Sequence, residues 1–144
     1  MNIRIPTAGL ALCLLAACAT APSSETTPTT QAADATLEAA IAGTWRDPAN
    51  AARDAYRHPL QTLRFFGVTP SSRVIEITPG GGWYAEILGP LLHDKGTYVA
   101  AVVDPMAVPE GRGRDYQQRS RDGLDKKFAA NAALYGKSKV VAYN

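Results

Sequence analysis

Residues 74–84 read Val74-Ile75-Glu76-Ile77-Thr78-Pro79-Gly80-Gly81-Gly82-Trp83-Tyr84, and this stretch decides the fold. The β-branched run from Val74 to Ile77 predicts a short buried strand. Thr78 to Gly82 predicts a tight loop, and the apolar spacing from Trp83 onward predicts a helix. In such a unit the loop backbone can approach a ligand closely, and the helix N-terminus offers free N–H groups and the positive end of its dipole.

The spacing within the loop narrows the kind of ligand. Gly80-x-Gly82-x-x-Ala85 fits the G-x-G-x-x-G/A pattern of dinucleotide-binding proteins. Glu76 stands just before the loop. A second predicted strand, 97–103, ends in Asp104, a little over ~20 residues past the loop, where an acid would bind the two ribose hydroxyls. Together these features predict a site for a cofactor that contains adenosine.

The same residues resemble a known family. Glu76-Ile77-Thr78-Pro79-Gly80-Gly81-Gly82 is similar to motif I of the class I S-adenosylmethionine-dependent methyltransferases: an acid, an apolar residue, then three alternating glycines. The first of those glycines is Thr78 here. More narrowly, the chain resembles a group of exported bacterial predicted methyltransferases over roughly residues 45–144. The segments that carry this likeness are Tyr56-Arg57-His58-Pro59, Phe65-Phe66-Gly67-Val68 and Pro79-Gly80-Gly81-Gly82-Trp83-Tyr84.

This resemblance implies S-adenosyl-L-methionine as the cofactor and assigns roles to individual residues. The backbone of the loop, residues 78–82 (Thr78, Pro79, Gly80, Gly81 and Gly82), would lie along the methionine part of the cofactor. Glu76 would orient the loop amides and interact with the cofactor's amino group, and Asp104 would bind the ribose. Met106 follows at a position where an apolar side chain packs against adenine. Methyl transfer from a sulfonium needs positioning more than an acid or base, so no catalytic residue is predicted.

Helices ahead of the first strand often cover the cofactor site in methyltransferases that this chain resembles. That gives Tyr56, Arg57 and His58 a possible role as ligand contacts. The alternative is that His58 caps the following helix and Arg57 is solvated.

The N-terminus predicts export. Arg4 precedes an apolar run at 7–17 that is too short to span a bilayer and has the form of a signal peptide. The run ends in Leu15-Ala16-Ala17-Cys18, which resembles a bacterial lipobox and implies a lipid on Cys18. We therefore expect a signal peptide at 1–17, a lipidated cysteine with a flexible tether at 18–44, and a domain at 45–144 on the periplasmic face of a bacterial membrane. An ordinary signal peptide is the alternative.

Composition excludes other classes of function. Cys13 would be removed and Cys18 acylated, so no disulfide or zinc cluster is expected in the domain, and the two histidines are far apart in sequence. Lys and Arg number 15 against 13 Asp and Glu, a net charge of +2, which gives no reason to expect a nucleic-acid partner. The cofactor and a membrane, reached through the lipid, are the only predicted partners.

The remaining pattern predicts an α/β fold. Short helices are expected at 36–44, after Asp47 as N-cap, and from Pro59 to a stop at Gly67. A helix at 83–92, which Pro90 kinks or splits into two short turns, links the first strand to the second, which should be covered on both faces. A loop at 108–114, a helix at 116–135 and a third strand at 139–143 follow.

The predicted order β-α-β-α-β, after short N-terminal helices, is the first half only of a Rossmann-like methyltransferase sheet, with right-handed parallel crossovers. Methyltransferases of the type that this chain resembles have about seven strands. We therefore expect a truncated reading frame or a fragment that lacks the usual acceptor-binding half.

Two other functions fit parts of the pattern. An NAD(P)-binding Rossmann protein fits the glycine spacing, but the Glu76 carboxylate would repel a pyrophosphate. A non-catalytic exported lipoprotein that keeps the fold fits the predicted export, since S-adenosylmethionine is a cytosolic metabolite.

Overall fold

The computed structural model describes residues 28–144, with side chains from residue 31 onward. The predicted signal peptide at 1–17 and the lipidation of Cys18 lie outside these residues. The helices are α1 (Pro28–Ile41), α2 (Pro48–Ala51), α3 (Asp54–Arg57), α4 (Pro59–Phe65), α5 (Ala85–Leu92), α6 (Arg112–Ala130) and α7 (Ala132–Tyr135). The strands are β1 (Arg73–Ile77), β2 (Thr97–Val103) and β3 (Lys139–Tyr143), and a 3₁₀ turn spans Pro105–Ala107.

The three strands form one parallel sheet in the order β1-β2-β3. Glu76 pairs with Ala100, and Ala100 in turn pairs with Val140. The predicted mixed α/β class and the predicted strands are confirmed; β1 begins one residue earlier than expected. Because the strands are parallel, the loops that follow β1 and β2 meet at one edge of the sheet.

The core lies on one face of this sheet. Tyr98, Ala100 and Val102 alternate along β2 and are almost fully buried under α5 and α6. The Phe128 ring of α6 meets the Tyr98 ring edge-on, 6.2 Å between centroids. Both crossovers run in the same direction across the sheet, so right-handed connections place both helices on the same side.

The opposite face is covered less than the sequence predicts. Ile75 is 65% exposed, Ile77 is 59% exposed and Val141 is 40% exposed. On β2 itself, Val99 and Val103 on this face are half-buried and Ala101 is buried, so the predicted cover on both faces is met only in part by the described residues. The apolar run of β2 reflects its central position rather than helices on both sides.

The predicted flexible tether is also revised. Its described part, from residue 28, is helix α1, whose Leu37 and Ala40 are buried in the core. α1 packs against α5 and α4. The domain therefore begins before residue 45, and the helix expected at 36–44 is the end of a longer one.

Local signals at the other N-terminal helices behave as predicted. The Asp47 carboxylate accepts the Ala49 N–H at 2.8 Å and caps α2. Gly67 ends α4 with φ +65°, and the Val68 N–H donates back to the Leu63 carbonyl at 2.9 Å. The helix expected after Asp47 is instead two short helices, α2 and α3.

Pro90 does not interrupt α5, which continues to Leu92. A proline has no N–H to donate, so the carbonyl of Glu86 loses its helical partner. The indole N–H of Trp45 donates to that carbonyl at 2.9 Å. This bond from a distant segment satisfies the group that Pro90 leaves free.

α6 begins at Arg112, four residues earlier than predicted, so the expected loop at 108–114 is shorter. The single helix expected at 116–135 is instead divided into α6, which ends at Ala130, and α7. α6 passes through Gly123, where an added Cβ would meet no atom within 4 Å. Among the described residues, no helix is both long enough and apolar enough to cross a membrane.

Replacing Gly123 with alanine should raise the free energy of unfolding by about 1 kcal/mol, because alanine loses less backbone entropy in a helix interior. Urea unfolding followed by circular dichroism measures this change. Equal or lower stability of G123A would show that α6 is not a continuous helix at this position.

Candidate functional site

The loop after β1 is held in a left-handed backbone conformation at alternate residues. Thr78 has φ +53°, Gly80 has φ +56° and Gly82 has φ +79°. The Thr78 N–H donates to the Ala101 carbonyl of β2 at 2.9 Å, which ties the start of the loop to the sheet. The three alternating positions of the glycine pattern are therefore the three positions that need positive φ.

At Thr78 the chain departs from the motif that it resembles, because threonine stands where the motif has its first glycine. A β-branched residue at positive φ is strained, and such backbone strain costs on the order of 1–3 kcal/mol. Its hydroxyl donates to the Ile77 carbonyl at 2.7 Å, a local bond that offsets part of this cost. The backbone thus keeps the glycine-like shape without glycine.

The glycines of the loop differ in what surrounds them. A Cβ on Gly82 would come within 2.8 Å of Leu124 Cδ2, so this glycine allows close packing of the loop on α6. A Cβ on Gly81 would meet nothing within 4 Å, and one on Gly80 only the Tyr116 hydroxyl at 3.6 Å. The Gly80–Gly81 peptide is therefore the part that a ligand can approach.

Glu76 lies on β1, on the face of the sheet that the helices cover. Its carboxylate accepts a hydrogen bond from the Tyr98 hydroxyl at 2.5 Å. Burial raises the pKa of Glu76, while the Tyr98 bond and the positive charge of Arg57 act in the opposite direction. With Tyr84 and Leu88 among its neighbours, Glu76 lines a cavity of about 240 Å³.

Asp104 directly follows β2, at the same edge of the sheet as the glycine loop. Its N–H donates to the Tyr143 carbonyl at 2.7 Å, so the strand geometry continues to this residue. Its carboxylate accepts the Met106 N–H at 2.9 Å and begins the 3₁₀ turn. Met106 itself is 74% exposed, so its side chain is open to a partner.

Glu76 and Asp104 are also related by the alternation of the sheet. Glu76 pairs with Ala100, and Asp104 lies four residues after Ala100 along β2. Side chains at even spacing point to the same face of a strand. The structure therefore brings the predicted acid, loop and second acid to one edge of the sheet.

Two residues of α6 contact the loop, and the sequence did not predict them. The Ser120 hydroxyl donates to the Gly80 carbonyl at 2.9 Å, and Lys127 Nζ donates to the Gly81 carbonyl at 3.4 Å. Both carbonyls are thereby turned toward α6. Only knowledge of where α6 crosses the loop reveals these contacts.

The three residues that were expected to cover the cofactor site, 56–58, differ in their exposure and contacts. The Arg57 guanidinium lies over the Trp83 ring, 4.3 Å from its centroid, and 5.8 Å from the Tyr84 centroid. His58 is exposed, with φ +46°, and occupies the N-cap position of α4, as the alternative reading had it, but its side chain makes no capping bond. Tyr56 is 86% exposed.

A second polar cluster lies behind the loop, around the buried Glu86. Its carboxylate binds Lys127 Nζ and accepts Asn50 Nδ2 at 2.9 Å. It borders a cavity of about 580 Å³ that Arg46 and Tyr135 also line. Within residues 28–144, no three His, Cys, Asp or Glu side chains are grouped as metal ligands would be.

We compared the chain with protein-family models, with curated proteins and with solved structures, and none of them matches it.

Proposed function

We propose that the domain binds S-adenosyl-L-methionine through a Rossmann-like sheet and is a class I methyltransferase or the cofactor-binding half of one. One observation carries the proposal: an open Gly80–Gly81 peptide between two positive-φ residues, at the same sheet edge as Glu76 and Asp104. Ligands of open α/β sheets bind beyond the carboxyl ends of the strands. The methyl acceptor is left open.

In this proposal each group recognises one part of the cofactor. The backbone at Gly80 and Gly81 lies against the methionine part, and the Glu76 carboxylate attracts its ammonium group. Asp104 accepts hydrogen bonds from the ribose hydroxyls, and the exposed Met106 packs on adenine. The cofactor supplies an electrophilic methyl group, and the residues of the chain hold and orient it.

An NAD(P) cofactor is the alternative enzyme reading. Glu76 favours the methyltransferase reading because its carboxylate stands before the loop, where a pyrophosphate would bring further negative charge. Thermal-shift measurements with S-adenosylhomocysteine and with NAD separate the two, and a shift with NAD alone would reverse our ranking. A folded sample that binds neither would favour a non-catalytic protein.

Export remains part of the proposal and rests on the sequence alone. A signal peptide at 1–17 and a lipid on Cys18 would place the domain on the periplasmic face of a bacterial membrane. Mass spectrometry of the purified native protein tests this, since a chain that begins at Cys18 with an added lipid differs in mass from one that begins at Met1.

Replacing Gly81 with valine should weaken S-adenosylhomocysteine binding about tenfold or more, because the new side chain occupies the space above the loop peptide. The fold should survive, since a Cβ there meets no atom within 4 Å and the φ of Gly81 is not positive. Isothermal titration calorimetry measures the affinity.

The same Gly→Val change at Gly123 is the matched control, because a Cβ is equally unhindered there and the residue lies on α6 away from the proposed contact. G123V should bind as the unmodified protein does. If G81V and G123V bind S-adenosylhomocysteine equally well, the ligand does not lie over the loop.

A further inference from the structure

We propose that Arg57 is the carboxylate-binding residue of the site, so that Arg57 and Glu76 together recognise the zwitterionic amino-acid end of the ligand. The inference rests on the proposed function, in which no residue is yet assigned to the carboxylate of the cofactor. It comes from the position of one guanidinium group rather than from the glycine pattern.

The Arg57 guanidinium is held beside the loop by two aromatic rings. It lies 4.3 Å from the centroid of Trp83 and 5.8 Å from that of Tyr84, the two residues that directly follow Gly82. Trp83 is itself fixed, because it is buried and its indole N–H donates to the Asn50 carbonyl at 2.8 Å. A planar cation on a fixed indole face has lost much of its rotational freedom before any ligand arrives.

No acidic side chain of the described residues forms a salt bridge with Arg57. Arg46, by contrast, is paired with Asp54 through both of its terminal nitrogens, at 2.5 and 2.9 Å. Glu76 is the acid whose charge state Arg57 influences, but the hydrogen bond of Glu76 goes to Tyr98 instead. The fork of donors on Arg57 is therefore free to bind an anion.

A cation and an anion held at fixed positions near one loop match a ligand that carries both charges. Guanidinium groups bind carboxylates through two parallel N–H···O bonds. A carboxylate such as Glu76 suits an ammonium group. An α-amino acid has an ammonium and a carboxylate on one carbon, which is the arrangement at the methionine end of S-adenosylmethionine.

The test compares two thioethers that share the adenosine part. S-adenosylhomocysteine carries the amino-acid end, and 5′-methylthioadenosine lacks it. Replacing Arg57 with glutamine should weaken S-adenosylhomocysteine binding by about ten- to a hundredfold, as expected for losing a hydrogen bond to a charged group. Binding of 5′-methylthioadenosine to R57Q should stay within about twofold of the unmodified protein.

Replacing Arg53 with glutamine is the control, because this exposed arginine lies one turn earlier in the chain. R53Q should leave both affinities unchanged. Circular dichroism of each variant establishes that it is folded, and R57K should retain an intermediate affinity because it keeps the charge but not the planar fork.

Three outcomes are distinguishable. Selective loss of S-adenosylhomocysteine binding in R57Q supports the inference. An equal loss for both compounds, or no loss for either, overturns it and leaves the proposed function standing. If the unmodified protein binds neither compound, the proposed function fails and the inference falls with it.

Discussion

Replacing Glu86 with alanine is expected to lower the free energy of unfolding by about 3–5 kcal/mol, the usual cost of removing one partner of a buried ion pair. Glu86 is 2% exposed. Its carboxylate binds Lys127 Nζ, Asn50 Nδ2 at 2.9 Å and the Asp47 N–H at 3.3 Å, and it lies 4.0 Å from Arg46 Nε. Without it, the buried guanidinium of Arg46 would lose its second acidic neighbour, and the partly buried Lys127 and Asn50 would lose their acceptor.

Arg46 increases the loss of stability expected in E86A. Its side chain is buried, and its Nε has no hydrogen-bond partner even with Glu86 present. The Ile41 carbonyl and the Asp54 carboxylate occupy the two terminal nitrogens. Arg46 and Lys127 bring two positive charges to this cluster, and Asp54 supplies one negative charge. Glu86 supplies the second.

Glu86 also joins parts of the chain that are distant in sequence. Asn50 belongs to α2, Glu86 to α5 and Lys127 to α6, and Lys127 also reaches the Gly81 carbonyl of the loop. The variant should therefore loosen the glycine loop as well as the packing of the short N-terminal helices. Urea unfolding and hydrogen exchange of the 78–82 amides measure the two effects.

A surface ion pair provides the control. Arg121 and Asp125 lie 3.9 Å apart on the exposed side of α6, and R121Q should change stability by about 0.5 kcal/mol or less. E86Q keeps the shape of the side chain and can still accept from Asn50. Comparing E86Q with E86A therefore separates the effect of losing the charge from the effect of creating a cavity. A loss below about 1 kcal/mol in E86A would contradict the view that this cluster holds the helices together.

Signals that act over a few residues predicted much of the fold. The runs of β-branched and apolar residues located all three strands, and β3 has the predicted bounds of Lys139–Tyr143. Asp47 and Gly67 marked a helix start and a helix end, because capping depends on neighbours in sequence. These elements and their order were enough to predict the parallel sheet.

Features that depend on distant residues were missed. The first part of helix α1 was predicted as flexible tether, because its Ala and Thr residues give little sign of burial until α5 covers Leu37. Pro90 was expected to kink or split α5. The helix is not split, and the Trp45 indole satisfies the carbonyl that the proline leaves free. No pattern near either residue records these partners.

In the candidate site, too, local features were predicted and contacts between distant residues were missed. Glu76, the loop and Asp104 follow from sequence spacing, and the parallel register places them at one edge. The Tyr98 hydroxyl that binds Glu76 could not be predicted, since it depends on the exact pairing of β1 with β2. The stacking of Arg57 on Trp83 likewise depends on where α3 crosses the loop.

Replacing Glu76 with glutamine is expected to weaken S-adenosylhomocysteine binding by about ten- to a hundredfold, because the ligand's ammonium loses a charged acceptor. The same variant should be more stable than the unmodified protein at neutral pH. Glutamine is close to glutamate in shape, and its carbonyl can still accept the Tyr98 hydroxyl, so the packing around β1 is kept. A residue that opposes stability but is needed for binding marks a functional site.

The sign of the stability effect follows from the pKa of Glu76. Burial raises this pKa above its ordinary value of 4.5. The folded state then holds the proton more tightly than the unfolded state, so stability falls as the pH rises from about 4.5 through the raised pKa, and remains lower above it. Glutamine does not titrate, so the stability advantage of E76Q should be small near pH 4 and full at pH 8.

Urea unfolding of both proteins at pH 4 and pH 8 measures this advantage, and titration calorimetry measures the binding. E110Q is the control, because the Glu110 side chain is exposed, and its stability should follow that of the unmodified protein at both pH values. If E76Q is less stable than the unmodified protein at pH 8, the Tyr98 hydrogen bond and the charge of Arg57 outweigh the cost of burial. Glu76 would then be a structural residue, and unchanged binding by E76Q would remove it from the site altogether.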